Sequence, residues 1–388
     1  MATGEYAIAG KLTVTDTEFT FSLRGRLGGI PPVPTPIPPG AVILEPSGGD
    51  DTQRLRDAIV AIPEDGTLVL KGMFHVSDTL RLEGGRRRTV CGHPDVRSGI
   101  FVDSPDMPGA YGSMLQFVNA IGSTMRDLEI DGQGHSTQLM IVDGGEDNTI
   151  ERCYLHDVGY QDTSDPTLAA MHSERSTRLR VAGNRIERTG GRSDIDSGIR
   201  GIWLGKGQID VLVEDNTVSD TGHTGIATEP ASGIIRRNHV TNALTNGTGY
   251  KIMLHPEAPF AGNVEFYENV AENTANAGLM LEGAAYESID VHHNTFRNCG
   301  KQGTSFGALY TSQWTTRSLS FHDNVIEGCR SQGAMNRSDS CTIENNSITG
   351  ESTLWLENDD TNITVNHSGQ VMIGANVSNV FVDGQQIA

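Results

Sequence analysis

One asparagine recurs in a fixed local frame at Asn184, Asn216, Asn238, Asn269, Asn294, Asn324 and Asn346. Three places before it stand Val181, Val213, Ile235, Phe266, Val291, Phe321 and Ile343, and two places after it Ile186, Val218, Val240, Ala271, Phe296, Ile326 and Ile348. All fourteen are apolar. Five places before it the chain is again apolar, at Leu179, Val211, Val264, Ile289, Leu319 and Cys341, with Gly233 the exception. The copies lie 22 to 32 residues apart, so the frame survives while the intervening length changes. Weaker copies place Leu128 and Cys153 upstream and Asn366 downstream in the position of the Asn. Alternating apolar residues mark strands, and a helical period is absent. Repeats of this kind cannot bury their inner faces alone, so they must stack as coils of short parallel strands. Stacking aligns the Asn into a row in which each amide can hydrogen-bond to the next, which gives the row a structural role. Five places after the Asn a column of small residues ends in Cys299 and Cys329, expected on adjacent coils about 4.8 Å apart as buried free thiols, with a disulfide as the alternative.

The remaining chain supplies smaller parts. Residues 1–27 alternate through Leu12, Val14, Phe19, Phe21 and Leu23, which predicts a small β module. Residues 28–40, GGIPPVPTPIPPG, hold six of the fifteen prolines and read as a stiff linker. Beyond it, Asp50 or Asp51 can cap a short helix with Leu55, Ala58, Ile59 and Ile62 on one face, halted by Pro63. Such a helix would cover one end of the repeat domain, which begins with strands at 67–70 and 79–82 and occupies 41–388.

Composition narrows the partners. With 49 acidic against 29 basic residues the formal charge is −20, which repels nucleic acid and anionic membrane surfaces. Glycine, at 46 of 388 residues, suits a turn-rich β protein. No run approaches eighteen apolar residues, and the first ten residues lack the basic and apolar regions of a signal peptide, so a soluble chain is expected. The five cysteines form no CxxC pair and have no histidines at zinc spacing, which argues against a disulfide framework or a zinc site. No dinucleotide or phosphate-binding fingerprint is present, so no organic cofactor is implied. Calcium remains an option for the acidic turns, including ENDDTN at 357–362.

The column pattern, with GGDDTQRLRDAI and DGTLVLKGMFHVSDTL ahead of it, resembles the pectin-lyase-like superfamily over roughly residues 41–388. The resemblance implies an all-β fold: a right-handed parallel β-helix capped by a short helix, beside the small N-terminal β module. That module, joined by a rigid linker to a β-helix, is further similar to bacteriophage tailspikes. This second resemblance implies a virion location, a homotrimer, attachment through residues 1–27 and recognition of a bacterial surface polysaccharide. The terminal VFVDGQQIA departs from it, with no separate trimerisation module recognisable.

A second strand in each coil is read from GIWL at 201–204, GIAT at 225–228, KIML at 251–254, GLML at 278–281 and GALY at 307–310. Alternation then turns Trp203, Met253, Met280, Leu309, Met335 and Trp355 outward, as a sugar-stacking surface or a subunit contact. The next outward row is Glu229, His255, Glu282, Thr311, Arg337 and Glu357. Glu229 and Glu282, two rungs apart, approach the ~6.5–9.5 Å separation of carboxyls in inverting glycosidases, with His255 between them to orient water. A lyase or epimerase would instead use Lys251 and Tyr250 on the C5 proton, with His255 or Arg200 neutralising the uronate. Asp194 and Asp196 are placed in a loop overhanging the same face, and His223 and Ser305 in turns. Three functions stay open: a glycan-binding hydrolase, a polysaccharide lyase or epimerase, and a non-catalytic virion or surface protein.

Overall fold

The computed structural model describes residues 35–102, 113–159, 168–190, 199–243, 247–254, 261–283, 286–300, 307–312, 316–329 and 340–349, and shorter stretches beyond. For 5–14, 17–26, 333–336 and 353–357 it describes backbone alone. The chain divides into two units, Met1–Pro39 and Gly40–Ala388. In the first, β1 (Glu5–Val14) and β2 (Thr17–Arg26) pair as an antiparallel hairpin.

The second unit is a solenoid. Three sheets of fifteen, eleven and nine strands run its length, and strands adjacent in a sheet lie one full coil apart in sequence. Among the described residues the pairing between coils is parallel, for example Val181 with Val213, Ile186 with Val218 and Ile202 with Ile226, and only the terminal pair of Phe381 with Gln386 is antiparallel. A single hydrophobic core fills the interior from Leu55 to Val380. Helix α1 (Thr52–Ala61) closes the end of that core, with Leu55, Ile59 and Ile62 buried. The void beneath the helix is only ≈ 10 Å³ and is lined by apolar side chains such as Leu55, Ile59, Leu68 and Leu80, which offer a water no partner. At the helix start Asp50 is the side chain that works: its carboxylate accepts from the Thr52 N–H at 2.9 Å, while Asp51 accepts from the Ser47 N–H and pairs with Arg54.

The asparagines form the expected row. Nδ2 of each donates to Oδ1 of the next, from Asn184 to Asn346, at 2.9 to 3.2 Å. The same Oδ1 accepts the preceding Asn's backbone N–H, and the second Nδ2 hydrogen reaches a carbonyl such as Val213 O, so these buried amides are fully used. Their turn forces the preceding residue into the left-handed region, as at Asp215 (φ 57°), Arg237 (φ 53°) and His293 (φ 55°). Charged pairs such as Arg237–Asp215 link those turns along the outside. Upstream, the Cys153 N–H donates to Asn184 Oδ1, so Cys153 does occupy an Asn position. Asn366 lies outside the described residues. Gly233 breaks the apolar column because Val211 fills its place: a Cβ there would stand 2.7 Å from Val211 Cγ2. All five cysteines are buried free thiols, and the Cys299 N–H points at Cys329 Sγ on the next coil at 3.4 Å.

Candidate functional site

The nine-stranded sheet carries the candidate residues. Its strands are β3 (Leu80–Glu83), β4 (Ser113–Val118), β5 (Gln138–Asp143), β6 (Ala169–Glu174) and β7 (Arg200–Gln208). They continue as β8 (Ile226–Pro230), β9 (Tyr250–Leu254), β10 (Leu279–Gly283) and β11 (Leu309–Ser312). Leu82, Phe117, Val142, Leu204, Ile252 and Leu281 point into the core, which leaves two files on the outer face. One file runs Arg81, Gln116, Ile141, His172, Trp203, Ala227, Lys251, Met280 and Tyr310 in direct register. The other holds Glu83, Val118, Asp143 and Glu174 at one end and Met253, Glu282 and Ser312 at the other. Gly205 and Glu229 sit between those ends, each one residue past the register pair Leu204–Thr228.

This register corrects two of the sequence alignments. On β9 the frame equivalent to GIWL begins at Gly249, two residues before KIML, because Tyr250 pairs with Ile226 and Leu279. The two-residue shift keeps each side chain on its face but moves Met253, and not His255, into the place between Glu229 and Glu282. His255 and Asp196 lie outside the described residues, as do Asp194, Ser305 and Arg337. On β11 the shift is one residue, which turns the strand over. Leu309 and Thr311 are therefore buried core residues, while Tyr310 faces outward beside Met280. Tyr250 is also a core residue, its hydroxyl 2.8 Å from Asn238 O and 2.9 Å from Val270 O, and burial pushes its pKa well above the ordinary phenol. Of Met335, Trp355 and Glu357 the backbone alone is described.

At the middle of the face Trp203 lies flat against the sheet, 5 % exposed, in a small apolar patch with Ala169, Ala227 and Met253. The Arg200 guanidinium covers its ring at 4.5 Å from the centroid. Gly205 makes this possible: a Cβ there would stand 2.9 Å from Trp203 Nε1 and 3.6 Å from Glu174 Oε1. The indole N–H is buried and has no hydrogen-bond partner among the described residues. Glu229 is buried at 7 % exposure, and the Lys251 ammonium pairs with the Glu282 carboxylate on the following coil. Met280 is half-buried beside them. His223, read as a turn residue, hydrogen-bonds Thr224 Oγ1 at 2.9 Å. Burial, aided by the nearby Arg200 and Lys251 charges, lowers its pKa to about 3, so its imidazole is neutral.

The first coils hold a group that the sequence reading passed over. A cleft of ≈ 300 Å³ opens over β3 to β6, lined by Arg81, Gln116, Gln138, Ile141, His172 and Glu174, with Val118 and Asp143 completing it. Asp143 and Glu174 are register neighbours. Arg175 pairs with both from the edge, and His172 Nε2 lies 3.5 Å from Glu174 Oε1. QLMIVD at 138–143 and AAMHSE at 169–174 repeat the apolar period of GIWL, and extending that alignment upstream would have exposed this group.

Elsewhere Glu129, Asp131 and His156 bring three donor atoms within 4.8 Å of one another. Both His156 nitrogens are engaged, by Asp157 at 2.6 Å and Glu129 at 2.8 Å, and Glu129 also pairs with Arg97. The donor set is satisfied by these ion pairs, so no metal is assigned to it.

The stacked parallel coils define the fold as a right-handed parallel β-helix. A family model described as a right handed beta helix region matches residues 121–257. Among solved structures the chain is similar to tailspike protein 2 from Escherichia coli O157:H7 bacteriophage CAB120, at 10 % identity and TM-score 0.57, covering 97 % of this chain and 48 % of that one. It is also similar to the catalytic domain of a GH87 α-1,3-glucanase in complex with nigerose, at 13 % identity and TM-score 0.52, covering 91 % and 67 %. A thermostable GH87 α-1,3-glucanase from Streptomyces thermodiastaticus aligns at 16 % identity and TM-score 0.50, covering 90 % and 71 %. No curated protein sequence matches the chain. At these identities the likeness is one of fold. No helix among the described residues is long and apolar enough to cross a membrane.

Proposed function

We propose that this protein binds a bacterial surface polysaccharide along the outer face of the nine-stranded sheet and hydrolyses it there, as a tailspike-like virion component. The observation that carries this reading is the face itself. Asp143, Glu174, Glu229 and Glu282 share one file beside the Arg200-covered indole of Trp203, in an acidic chain that has no use for a polyanion. Carboxylates that accept from hydroxyls, next to aromatic and apolar surface, suit a neutral or weakly charged glycan.

Glu229 and Glu282 are the proposed acid and base. Two rungs place their backbones about 9–10 Å apart, which suits water attack with inversion. Met253 between them offers an apolar wall rather than a proton relay, and Trp203, Met280 and Arg200 contribute contact surface. Lys251 is engaged with Glu282, which supports hydrolysis over proton abstraction by that amine. The same reading makes the protein a homotrimer that docks to the virion through residues 1–27, and calcium stays an accessory ion at most.

Incubation with host envelope polysaccharides tests the proposal. Hydrolysis yields new reducing ends without an ultraviolet-absorbing double bond, and Glu229→Gln and Glu282→Gln should each lower the rate at least a hundredfold. Unsaturated products would favour the lyase reading, and unchanged cleavage by both variants would remove the assignment. Light scattering on the purified chain reads the trimer directly.

A further inference from the structure

We infer that the cleft over β3 to β6 is a subsite for one neutral hexose unit, with the Gln138 carboxamide as its reader. The inference rests on the polysaccharide-binding reading and adds the chemistry of the unit bound. Gln138 is fully buried, lines the cleft, and neither its Nε2 nor its Oε1 has a hydrogen-bond partner among the described residues. A buried amide left unpaired on both atoms is costly, and native structures rarely keep one without a use. Two coils further, the buried Trp203 N–H also has no partner among the described residues, close to Glu174.

The required ligand must donate to Gln138 Oε1 and accept from Gln138 Nε2. Hydroxyl groups do both, an ammonium only donates, and a carboxylate or phosphate only accepts. Asp143 and Glu174 add acceptors and, as two carboxylates against the one Arg175 guanidinium that pairs with both, stay net negative toward an anionic unit, while Arg81 already lies 3.9 Å from Glu83. Ile141 and Val118 supply apolar surface for the C–H face of a pyranose ring. A volume of ≈ 300 Å³ sits at the lower end of ligand pockets, which fits a single ring.

Saturation-transfer NMR on the full chain with the methyl glycosides of glucose, galactose, mannose and glucuronic acid tests this. At least one neutral glycoside should bind and the glucuronide should not. Ile141→Trp, which fills the cleft from a half-exposed position, should abolish the signal with an unchanged thermal midpoint. Gln138→Glu, which keeps the size and loses both donors, should weaken binding about tenfold or more. Absence of binding by every neutral glycoside, equal binding of the glucuronide, or wild-type binding by Ile141→Trp would each overturn the subsite. Polymer cleavage that persists alongside such a result would leave the function at Glu229 and Glu282 standing. A neutral glycoside bound at Gln138 without any polymer cleavage would leave the subsite standing and remove that function.

Discussion

Asn238 and Asn269 meet amide to amide: Nδ2 of Asn238 donates to Oδ1 of Asn269 at 3.0 Å although thirty-one residues separate them. Asn238 Oδ1 in turn accepts from the Asn216 N–H and Nδ2, and its Nδ2 also reaches Val213 O. Asn238→Ala therefore leaves several buried groups unpaired and should cost on the order of 3–5 kcal/mol, read as a lower denaturation midpoint. Asn346→Ala, at the half-buried end of the row, should cost about 1 kcal/mol. Equal effects at the two positions would show that the row does not act as a ladder.

Gly205 and Trp203 give a second expectation. Gly205→Ala places a methyl 2.9 Å from the indole nitrogen, so the ring must lift from the sheet. The strain should amount to about 1–3 kcal/mol, and Trp203 emission should move to longer wavelength. Repeating the substitution in a Trp203→Phe background, which leaves Trp314 and Trp355, should show no such change.

Acid should act at the helix cap. The Asp50 carboxylate accepts from Ser77 Oγ at 2.6 Å, from Thr52 Oγ1 at 2.6 Å and from the Thr52 N–H at 2.9 Å, which lowers its pKa from 3.8 to about 2. Because the folded value is depressed, the unfolded chain binds the proton first. The stability Asp50 contributes is complete above about pH 4 and lost as pH falls through about 2. Asp50→Asn should flatten the fall in denaturation midpoint across that window.

Thiol chemistry reports the core. Burial pushes the Cys153 thiol up to about 12 and raises those of Cys91 and Cys299. At pH 8 a thiol reagent should leave all five cysteines unmodified in the folded protein and titrate five after unfolding. Rapid reaction without denaturant would contradict the burial of these five side chains.

The legible part of the site follows from what each strand carries. Residues 181–186 announce themselves because a buried Asn has one tolerated frame: its amide must meet the amides above and below. Nothing comparable marks the strands of the outer face. Their frame was taken from GIWL, which held for GIAT and GLML and slipped at KIML and GALY. Loops of differing length precede these strands, so only backbone pairing to the neighbouring coil sets where each begins. A one-residue difference sent Leu309 inward and Tyr310 outward, and a two-residue difference exchanged His255 for Met253.

From the chain alone came the coil, its stacking and the burial of the asparagine and cysteine columns, because period-2 apolar patterning and ladder residues are local and repeat. Only tertiary structure set which residues of distant coils stand side by side. Lys251 against Glu282, Arg200 over Trp203 and Gln138 in one cleft with Asp143 and Glu174 depend on inter-coil register and on the space left by neighbours. Both are fixed by hydrogen bonds between strands more than twenty residues apart, and no local pattern encodes them.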